Sequence, residues 1–353
     1  MKEFEVQAVN SEILTLIREA RGLTQNELAV KSGVSQPTLS KYEHDLMQAS
    51  DEHIHLLAIA LDVPSRLLTK KDLIHPIGSV CLFHRKREST SVREARRLHA
   101  LINWRLLHLK WLLRGIPLLP AQTTEFPRYD YPDYGDPEDI AELVRQSLRI
   151  PHGPIKNLVA NIERAGGIVI SFDFKSSSVD AMSAWESQLP PVFFINSTMP
   201  CDRIRMSLAH EIGHMVMHRN ANPDQEDQAQ RFASAFLLPE RDIKDNLVNI
   251  DLPSAAMLKP YWRVSMQALI YRAYRLSVIS EYKYTQLFKQ LSKAGYRKRE
   301  PNPIPGEHPE NLRLLIAQLQ ENNLTLDDLS KIAELHKTEF IKMYLMQNFG
   351  EVA

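Results

Sequence analysis

Residues 201–218 read CDRIRMSLAHEIGHMVMH, and this stretch decides how the rest of the chain is interpreted. Two histidines four positions apart on a helix lie on the same face, about one turn apart. His210 and His214 can therefore hold one metal ion through their imidazole nitrogens. Glu211, beside that ion, can act as general base on a water molecule. The spacing predicts a zinc hydrolase, with His210 and His214 as metal ligands and Glu211 as the catalytic residue.

A chance match on an amphipathic helix is the alternative to a metal site, and Gly213 argues against it. Glycine inside a helix costs about 1 kcal/mol relative to alanine. A glycine between the two histidines therefore indicates that another backbone or a ligand approaches the helix closely at this point.

A catalytic zinc needs a third protein ligand and one open position. We predict Glu226, the first residue of the segment EDQA, as that ligand. Asp224, Asp227 and His218 are alternatives to it. Glu226 could also be an ordinary carboxylate at a helix N-terminus, where the helix dipole favours negative charge.

An apolar strand, PVFFIN at 191–196, precedes the metal helix. In zinc peptidases a strand beside the motif helix commonly offers its edge to an extended peptide, which adds as a further strand. We predict that Phe193, Phe194 and Asn196 form such a substrate edge.

Residues 11–70 predict a run of five short helices joined by tight turns. Thr24, with Glu27 three positions later, has the spacing of a capping box at a helix start. Gly33 suits the left-handed position of a turn. Ser35 followed by Pro37 predicts the start of the next helix, because serine caps helices and proline is tolerated in the first turn.

Length and composition predict two or three folded units in 353 residues that are 44% hydrophobic and 24% charged. Lys+Arg and Asp+Glu both number 43, so the overall charge does not identify a partner. The two cysteines, Cys81 and Cys201, are too few for a disulfide framework and fit a cytoplasmic protein. Cys201 begins the metal helix, so it is either a redox sensor or an unreactive small residue. We expect no signal segment and no contact with a membrane.

The regions outside these motifs carry weaker signals. Residues 91–114 predict one long helix, and the prolines between 117 and 137 predict a linker. The sequence shows no evident internal repeat, although 325–344 is similar to half of a helix-turn-helix. This tail could be a regulatory or dimerisation unit.

The segment LIREARGLTQNELAVKSGVSQPTLSKYEHD, at 16–45, resembles the Xre/Cro-type helix-turn-helix family. The resemblance implies that 36–43 is the recognition helix and that the partner is double-stranded DNA. It places Gln25 on a phosphate and directs Gln36, Thr38 and Lys41 into the major groove. A module that binds protein instead of DNA is the alternative. The basic residues 85–87 with Arg93, Arg96 and Arg97 add phosphate contacts, form a solvated helix face or make an interdomain contact.

The whole chain resembles ImmA/IrrE zinc metallopeptidases fused behind an Xre-type helix-turn-helix. The resemblance rests on FHRKR (83–87), HGPIKNLVANIERAGGIVI (152–170), the metal helix, EDQAQRFASAFLLP (226–239), WRVSMQALIYRAYRL (262–276) and GYRKREP (295–301). It implies Glu226 as the third ligand and Zn2+ as the cofactor. The implied architecture is an all-α helix-turn-helix domain followed by an α+β gluzincin-like metallopeptidase domain and a helical C-terminal region.

We therefore expect four regions: a DNA-binding domain at 8–72, a helical connector with a Pro-rich linker at 79–135, a metallopeptidase core at 136–245 and a helical region at 246–353. The resemblance implies a regulator that cleaves a specific protein, a repressor or itself, in a stress or mobile-element response. It also implies a homodimer on a palindromic operator. The main alternative is a transcription factor or antitoxin whose peptidase-like domain senses a ligand or partner without turnover.

Overall fold

A computed structural model describes residues 8–71, 91–114, 126–186, 189–220 and 222–346. Their contacts form two units. The first takes 8–71, 91–114 and 313–346, and the second takes the described residues between 126 and 312. This grouping differs from the expected boundaries, because the region treated as one at 246–353 is divided between the two units.

The first unit begins with five short helices and a long one: α1 (Ser11–Ala20), α2 (Gln25–Ser32), α3 (Gln36–Glu43), α4 (Asp51–Leu61), α5 (Ser65–Leu68) and α6 (Val92–Leu113). The predicted caps are present. The Thr24 hydroxyl accepts from the Glu27 amide at 3.1 Å, and the Glu27 carboxylate accepts from the Thr24 amide at 2.6 Å. Gly33 closes α2 with φ of 76°, and Ser35 caps α3.

The second unit mixes helices with a small sheet: α7 (Pro137–Ser147), α8 (Leu158–Arg164), β1 (Ile168–Phe172), β2 (Ala181–Ala184), β3 (Val192–Asn196), α9 (Cys201–Met217), α10 (Gln225–Leu237), α11 (Glu240–Ile243), a 3-10 turn (Lys244–Leu247), α12 (Leu252–Trp262), α13 (Met266–Arg275) and α14 (Glu281–Lys293). Three more helices follow: α15 (Asn311–Glu321), α16 (Leu326–Ile332) and α17 (Lys337–Tyr344).

The strand order β1-β3-β2 contradicts the predicted substrate edge at Phe193, Phe194 and Asn196. These residues lie on β3, which pairs in parallel with β1 on one side and antiparallel with β2 on the other. A strand with partners on both sides has no free backbone groups to offer a peptide. The Asn196 side chain is buried and donates to the carbonyls of Ser176 and Val179, so it holds a loop.

A buried ion pair joins the metal helix to a distant part of the second unit. Arg205 on α9 pairs with Glu307, and both side chains are buried. The Glu307 carboxylate also accepts from the amides of Leu158 and Val159, at 2.7 and 2.9 Å. These contacts fix the start of α8 at Leu158.

Polar contacts also hold the C-terminal end of α10. The Arg145 guanidinium donates to the carbonyl of Phe236 at 2.7 Å, and Arg272 donates to that of Leu238 at 2.9 Å. Both arginines are buried, and they occupy carbonyls that a helix end leaves without intrahelical partners. The helix that carries Glu226 is therefore fixed at its far end. None of the helices in the described ranges is both long and apolar enough to cross a bilayer.

Candidate metal centre

The structure brings His210 and His214 of α9 together with Glu226 of α10. The Nε2 atoms of the two histidines lie 3.0 Å apart. Each lies 3.3 Å from an oxygen of the Glu226 carboxylate, His210 from Oε2 and His214 from Oε1. Among the described residues these three form the cluster able to hold a metal, and Asp224 and Asp227 are not part of it.

The spacing of these atoms fits a tetrahedral metal. Nitrogen and oxygen ligands bind zinc at about 2.0–2.1 Å, so two such ligands on a tetrahedral ion lie about 3.3 Å apart. The observed separations are 3.0 and 3.3 Å. Both imidazoles are buried, whereas 52% of the Glu226 side chain is exposed. The cluster is thus closed on the histidine side and open on the carboxylate side, where a fourth ligand can enter.

The protonation states also suit metal binding. Burial lowers the pKa of His214 to about 4, so its imidazole is neutral at physiological pH. Burial alone would raise the pKa of Glu226, but the neighbouring imidazoles of His210 and His214 outweigh it and hold that pKa well below its usual value. Neutral imidazoles and an ionised carboxylate are the forms that ligate metals.

His218 lies behind His214 and not in the cluster itself. Nδ1 of His214 faces Nδ1 of His218 at 3.0 Å, and Nε2 of His218 faces Oε1 of Gln228 at 2.8 Å. The same Gln228 oxygen accepts from the Asn222 amide at 3.2 Å. His218, considered as an alternative ligand, therefore supports a ligand instead.

Glu211 is buried next to the ligands and is held by the sheet. The Ser183 hydroxyl on β2 donates to Glu211 Oε2 at 2.5 Å. Burial raises the pKa of Glu211 well above its usual value, and the hydrogen bonds from Ser183 oppose that rise. The carboxylate is thus fixed in direction beside its neighbour in sequence, His210.

Gly213 is explained by an aromatic ring. A Cβ at this position would lie 2.9, 3.1 and 3.3 Å from three atoms of the Phe232 side chain on α10. The prediction of a close approach is confirmed, although the approaching group is a side chain and not a backbone or ligand. The contact allows α9 and α10 to pack closely enough for Glu226 to reach the histidines.

In the first unit, the residues predicted to contact DNA lie at the start of α2 and along α3. The Gln36 amide donates to Oε1 of Gln25 at 2.9 Å, and the Gln25 amide donates to Glu43 at 2.8 Å. Glu43 is also paired with Arg18 at 2.6 Å. Lys41 is exposed. The two glutamines therefore act as one unit whose position is set by a buried ion pair.

Thr38 and Arg93 have other partners in this unit. The Thr38 hydroxyl lies 2.8 Å from that of Ser35, the α3 cap. Arg93 donates to Glu27 and to the Gly22 carbonyl, so it is occupied by protein and a role in phosphate binding has no structural support. The basic segment at 85–87 lies outside the described residues.

Two family models match the chain, one within each unit. A model of the IrrE N-terminal-like domain, a peptidase family, matches residues 162–274, and a helix-turn-helix model matches residues 14–68. The chain joins a helix-turn-helix domain to an IrrE-like peptidase domain. No curated protein matches it.

The IrrE-like domain contains site residues that the sequence did not reveal. Ser183 lies on a four-residue strand, AMSA, that has no alternating pattern and was not predicted. Gln228 stands two positions after Glu226, and helix periodicity alone does not indicate that it reaches His218. Phe232 is the fourth residue after Gln228 on α10, a spacing that places both on one helix face.

Cys201 does not have the environment of a redox sensor. It is a free thiol at the start of α9, where the helix dipole favours the thiolate. Burial is the stronger influence and raises the pKa of Cys201 to about 11. The second reading, an unreactive small residue, fits the structure.

Proposed function

We propose that the chain is a DNA-binding regulator whose IrrE-like domain is a zinc-dependent endopeptidase that cleaves a specific regulatory protein. The observation that carries the proposal is the convergence of His210, His214 and Glu226 within 3.0–3.3 Å of one another, with the carboxylate of Glu211 fixed next to them. Two imidazoles and one carboxylate, with one open side, form the ligand set of a catalytic zinc site.

A bound zinc would polarise a peptide carbonyl and lower the pKa of a water molecule at the site. The protein side of the reaction belongs to Glu211. Its carboxylate takes a proton from the attacking water and passes it to the amine that leaves. The Ser183 hydroxyl, 2.5 Å from Oε2, keeps this carboxylate in one orientation. Because Ser183 is itself buried in β2, the sheet sets the position of the base.

The strand β2 connects the sheet to Glu211. The backbone N–H of Asn196 donates to the Asp180 carbonyl at 2.8 Å. Asp180 and Asn196 are therefore a hydrogen-bonded pair in the β2–β3 ladder. Antiparallel pairs alternate, so Ala181 and Ser183 direct their amide and carbonyl groups away from β3. In the described sheet that side of β2 has no partner strand. The Ser183 hydroxyl donates to Glu211, and all four residues of β2 are buried, so this strand positions the base.

The joined helix-turn-helix domain favours a selected target over general digestion. A peptidase that is tethered to an operator meets the proteins that assemble on the same DNA at high effective concentration. We therefore propose a repressor, or the chain itself, as the substrate, in a stress or mobile-element response. A homodimer on a palindromic operator is part of the same proposal.

Metal content measured on the purified full chain tests the site. We expect about one zinc per chain for the wild type and for Glu211→Gln, and loss of zinc for His214→Ala. Absence of zinc from wild-type protein refolded with the metal would refute the enzyme proposal.

Cleavage is tested by co-expression with the products of neighbouring genes, followed by mass spectrometry. A fragment that appears with wild type and not with Glu211→Gln supports a peptidase. If both proteins bind zinc and neither produces a fragment under any inducing stress, the zinc domain is a sensor and the alternative function holds. DNA binding is tested by gel shift with Gln36→Ala and Lys41→Ala, which we expect to lose affinity for the selected duplex.

A further inference from the structure

The three helices α1–α3 recur at the end of the described chain with constant spacing. Residue 24 aligns with residue 325, and the same offset of 301 positions aligns Leu23 with Leu324, Leu28 with Leu329 and Lys41 with Lys342. The offset also matches the helix bounds, since α1 ends at Ala20 and α15 at Glu321, and α3 covers Gln36–Glu43 and α17 Lys337–Tyr344. No gap is needed over 33 residues, 11–43 against 312–344.

The turns between the helices repeat in backbone conformation. Thr24 and Glu27 form a capping box in the first copy, and Thr325 and Asp328 form one in the second. The turn before each box has a left-handed residue, Gly22 with φ of 72° and Asn323 with φ of 67°. The next turn repeats this pattern with Gly33 at 76° and Glu334 at 54°.

The buried positions repeat as well. Three apolar residues with 0–2% exposure hold the first copy together, and the residues 301 positions later have the same exposure: Leu28, Val34 and Leu39, against Leu329, Leu335 and Phe340. Matching caps, turns and core positions at one offset are not expected of unrelated helices. The structure thus corrects the interpretation that the chain has no internal repeat.

We infer that α15–α17 are a second helix-turn-helix motif, which does not read DNA and instead holds the N-terminal helices through two glutamates, Glu334 and Glu339. Of the four residues predicted to contact DNA, Gln25 and Thr38 are replaced by Leu326 and Glu339, whereas Gln36 and Lys41 correspond to Lys337 and Lys342. Asp327 within the capping box of α16 stands where the first motif has Asn26, and its carboxylate repels a phosphate backbone.

The first contact between the two motifs joins α1 to α17. Arg21, at the end of α1, binds Glu339 through two parallel hydrogen bonds of 2.8 and 3.0 Å. The same guanidinium donates to the Leu61 and Asp62 carbonyls, at 2.8 Å each. Glu339 therefore binds a cation that is already fixed on the end of α4, and the position that would face DNA in the first motif faces protein in the second.

Glu334 makes the second set of contacts. It pairs with Arg66 on α5 and with the ammonium of Lys70, the latter at 2.9 Å. Glutamate is disfavoured at the left-handed backbone position where the first motif has glycine. The ion pairs with Arg66 and Lys70 explain why glutamate stands at this position despite its conformational cost. Tyr344, at the end of α17, lies 2.9 Å from buried His108 on α6 and completes the attachment.

One consequence is that each chain has a single DNA-recognition helix, α3. The surface formed by Arg21, Arg66 and Lys70 is occupied by the second motif of the same chain, and Lys41 on α3 stays exposed. The inference does not depend on peptidase activity, because all of these contacts lie within the first unit.

The attachment is tested by hydrogen exchange on the full chain with the double variant Glu334→Gln/Glu339→Gln. We expect peptides covering α16 and α17 to exchange at least roughly tenfold faster than in wild type, because the three ion pairs with Arg21, Arg66 and Lys70 no longer oppose local opening. The matched control is Asp327→Asn, which removes a carboxylate that is paired with Lys331 on the same helix. Exchange in the double variant that equals the control overturns the attachment.

The loss of DNA reading is tested by gel shift on duplexes selected from a random pool by the full chain. We expect Lys337→Ala/Lys342→Ala to leave the affinity within about twofold of wild type, and Gln36→Ala/Lys41→Ala to reduce it at least about tenfold. Equal losses would make the C-terminal motif a second reader and refute the inference. If the chain selects no duplex, the proposed DNA function fails while the exchange experiment still decides the attachment.

Discussion

Nδ1 of His214 faces Nδ1 of His218 at 3.0 Å, and this contact keeps the imidazole hydrogen of His214 on Nδ1. Nε2 of His214 can then bind a metal through its lone pair. The Gln228 carbonyl oxygen, 2.8 Å from Nε2 of His218, accepts a hydrogen from that nitrogen. Neutral His218 then has a lone pair on Nδ1 and accepts from His214. Nε2 of His214 is left with a lone pair directed at Glu226 and His210, which is the tautomer that a metal ligand needs.

Replacing His218 with alanine is therefore expected to weaken zinc binding by about 10- to 100-fold, the usual effect of losing the partner of a ligating imidazole. Competition with a chromophoric chelator measures the affinity. His218→Asn and Gln228→Ala are the graded controls, with an intermediate loss expected for each. If His218→Ala binds zinc as tightly as wild type while still folded, the contact has no part in metal binding.

Gly213→Ala is expected to destabilise the IrrE-like domain. Alanine gains about 1 kcal/mol of helix propensity, but overpacking in a core costs about 1–3 kcal/mol. The second effect should dominate, because the new Cβ would lie 2.9–3.3 Å from Cδ1, Cγ and Cβ of buried Phe232, and Cβ moves only with the α10 backbone. We expect a net loss of roughly 1 kcal/mol in urea unfolding.

Two variants control this measurement. Gly306→Ala places its Cβ no closer than 3.7 Å to a neighbour, so it should be neutral. The double variant Gly213→Ala/Phe232→Leu should lose less than the sum of its single changes, because the shorter side chain gives the new methyl group room. Strict additivity would show that the two positions do not compete for space.

Local signals in the sequence predicted most of the elements because they act over a few residues. The capping box at Thr24, the left-handed turn at Gly33 and the histidine spacing on α9 are all fixed by neighbours within one helical turn. Glu226 was also predicted, from its place at the start of the EDQA segment, and the family resemblance implied the same ligand. These features needed no knowledge of how distant segments pair.

What the sequence could not give was pairing between distant segments. Phe193 and Phe194 were assigned to an edge because β2, four residues long, was not detected, and without β2 the strand before α9 looks unpartnered. The second helix-turn-helix shares few identical residues with the first, so its repeat is visible in the caps and backbone angles and not in the letters. Ser183 and Gln228 become site residues only once β2 and α10 are placed against α9.

Glu163 should make the stability of the second unit depend on pH. Its carboxylate accepts from the amides of Glu310 and Asn311 at 3.0 Å, yet burial raises its pKa to about 6 from an ordinary 4.5. Between these values the folded state keeps a proton that the unfolded chain releases. The free energy of unfolding should therefore fall by about 2 kcal/mol as the pH rises through this window.

Comparison of wild type with Glu163→Gln in urea unfolding at pH 4.5 and 7 isolates this contribution. The difference between the two proteins should shift in favour of the variant at the higher pH. Glu281→Gln, at an exposed position on α14, should show no such shift. A constant difference between wild type and Glu163→Gln at both pH values would contradict the prediction.

Cys201 should be unreactive in the folded protein. With its pKa raised to about 11 by burial, the thiolate fraction at pH 8 is about a hundredfold smaller than for an ordinary thiol, and alkylation requires the thiolate. Iodoacetamide labelling of a Cys81→Ser variant follows this thiol alone. We expect slow labelling that recovers to the rate of a free peptide thiol in guanidinium. Fast labelling of the folded protein would restore the redox-sensor hypothesis, because the helix dipole would then outweigh burial at the start of the metal helix.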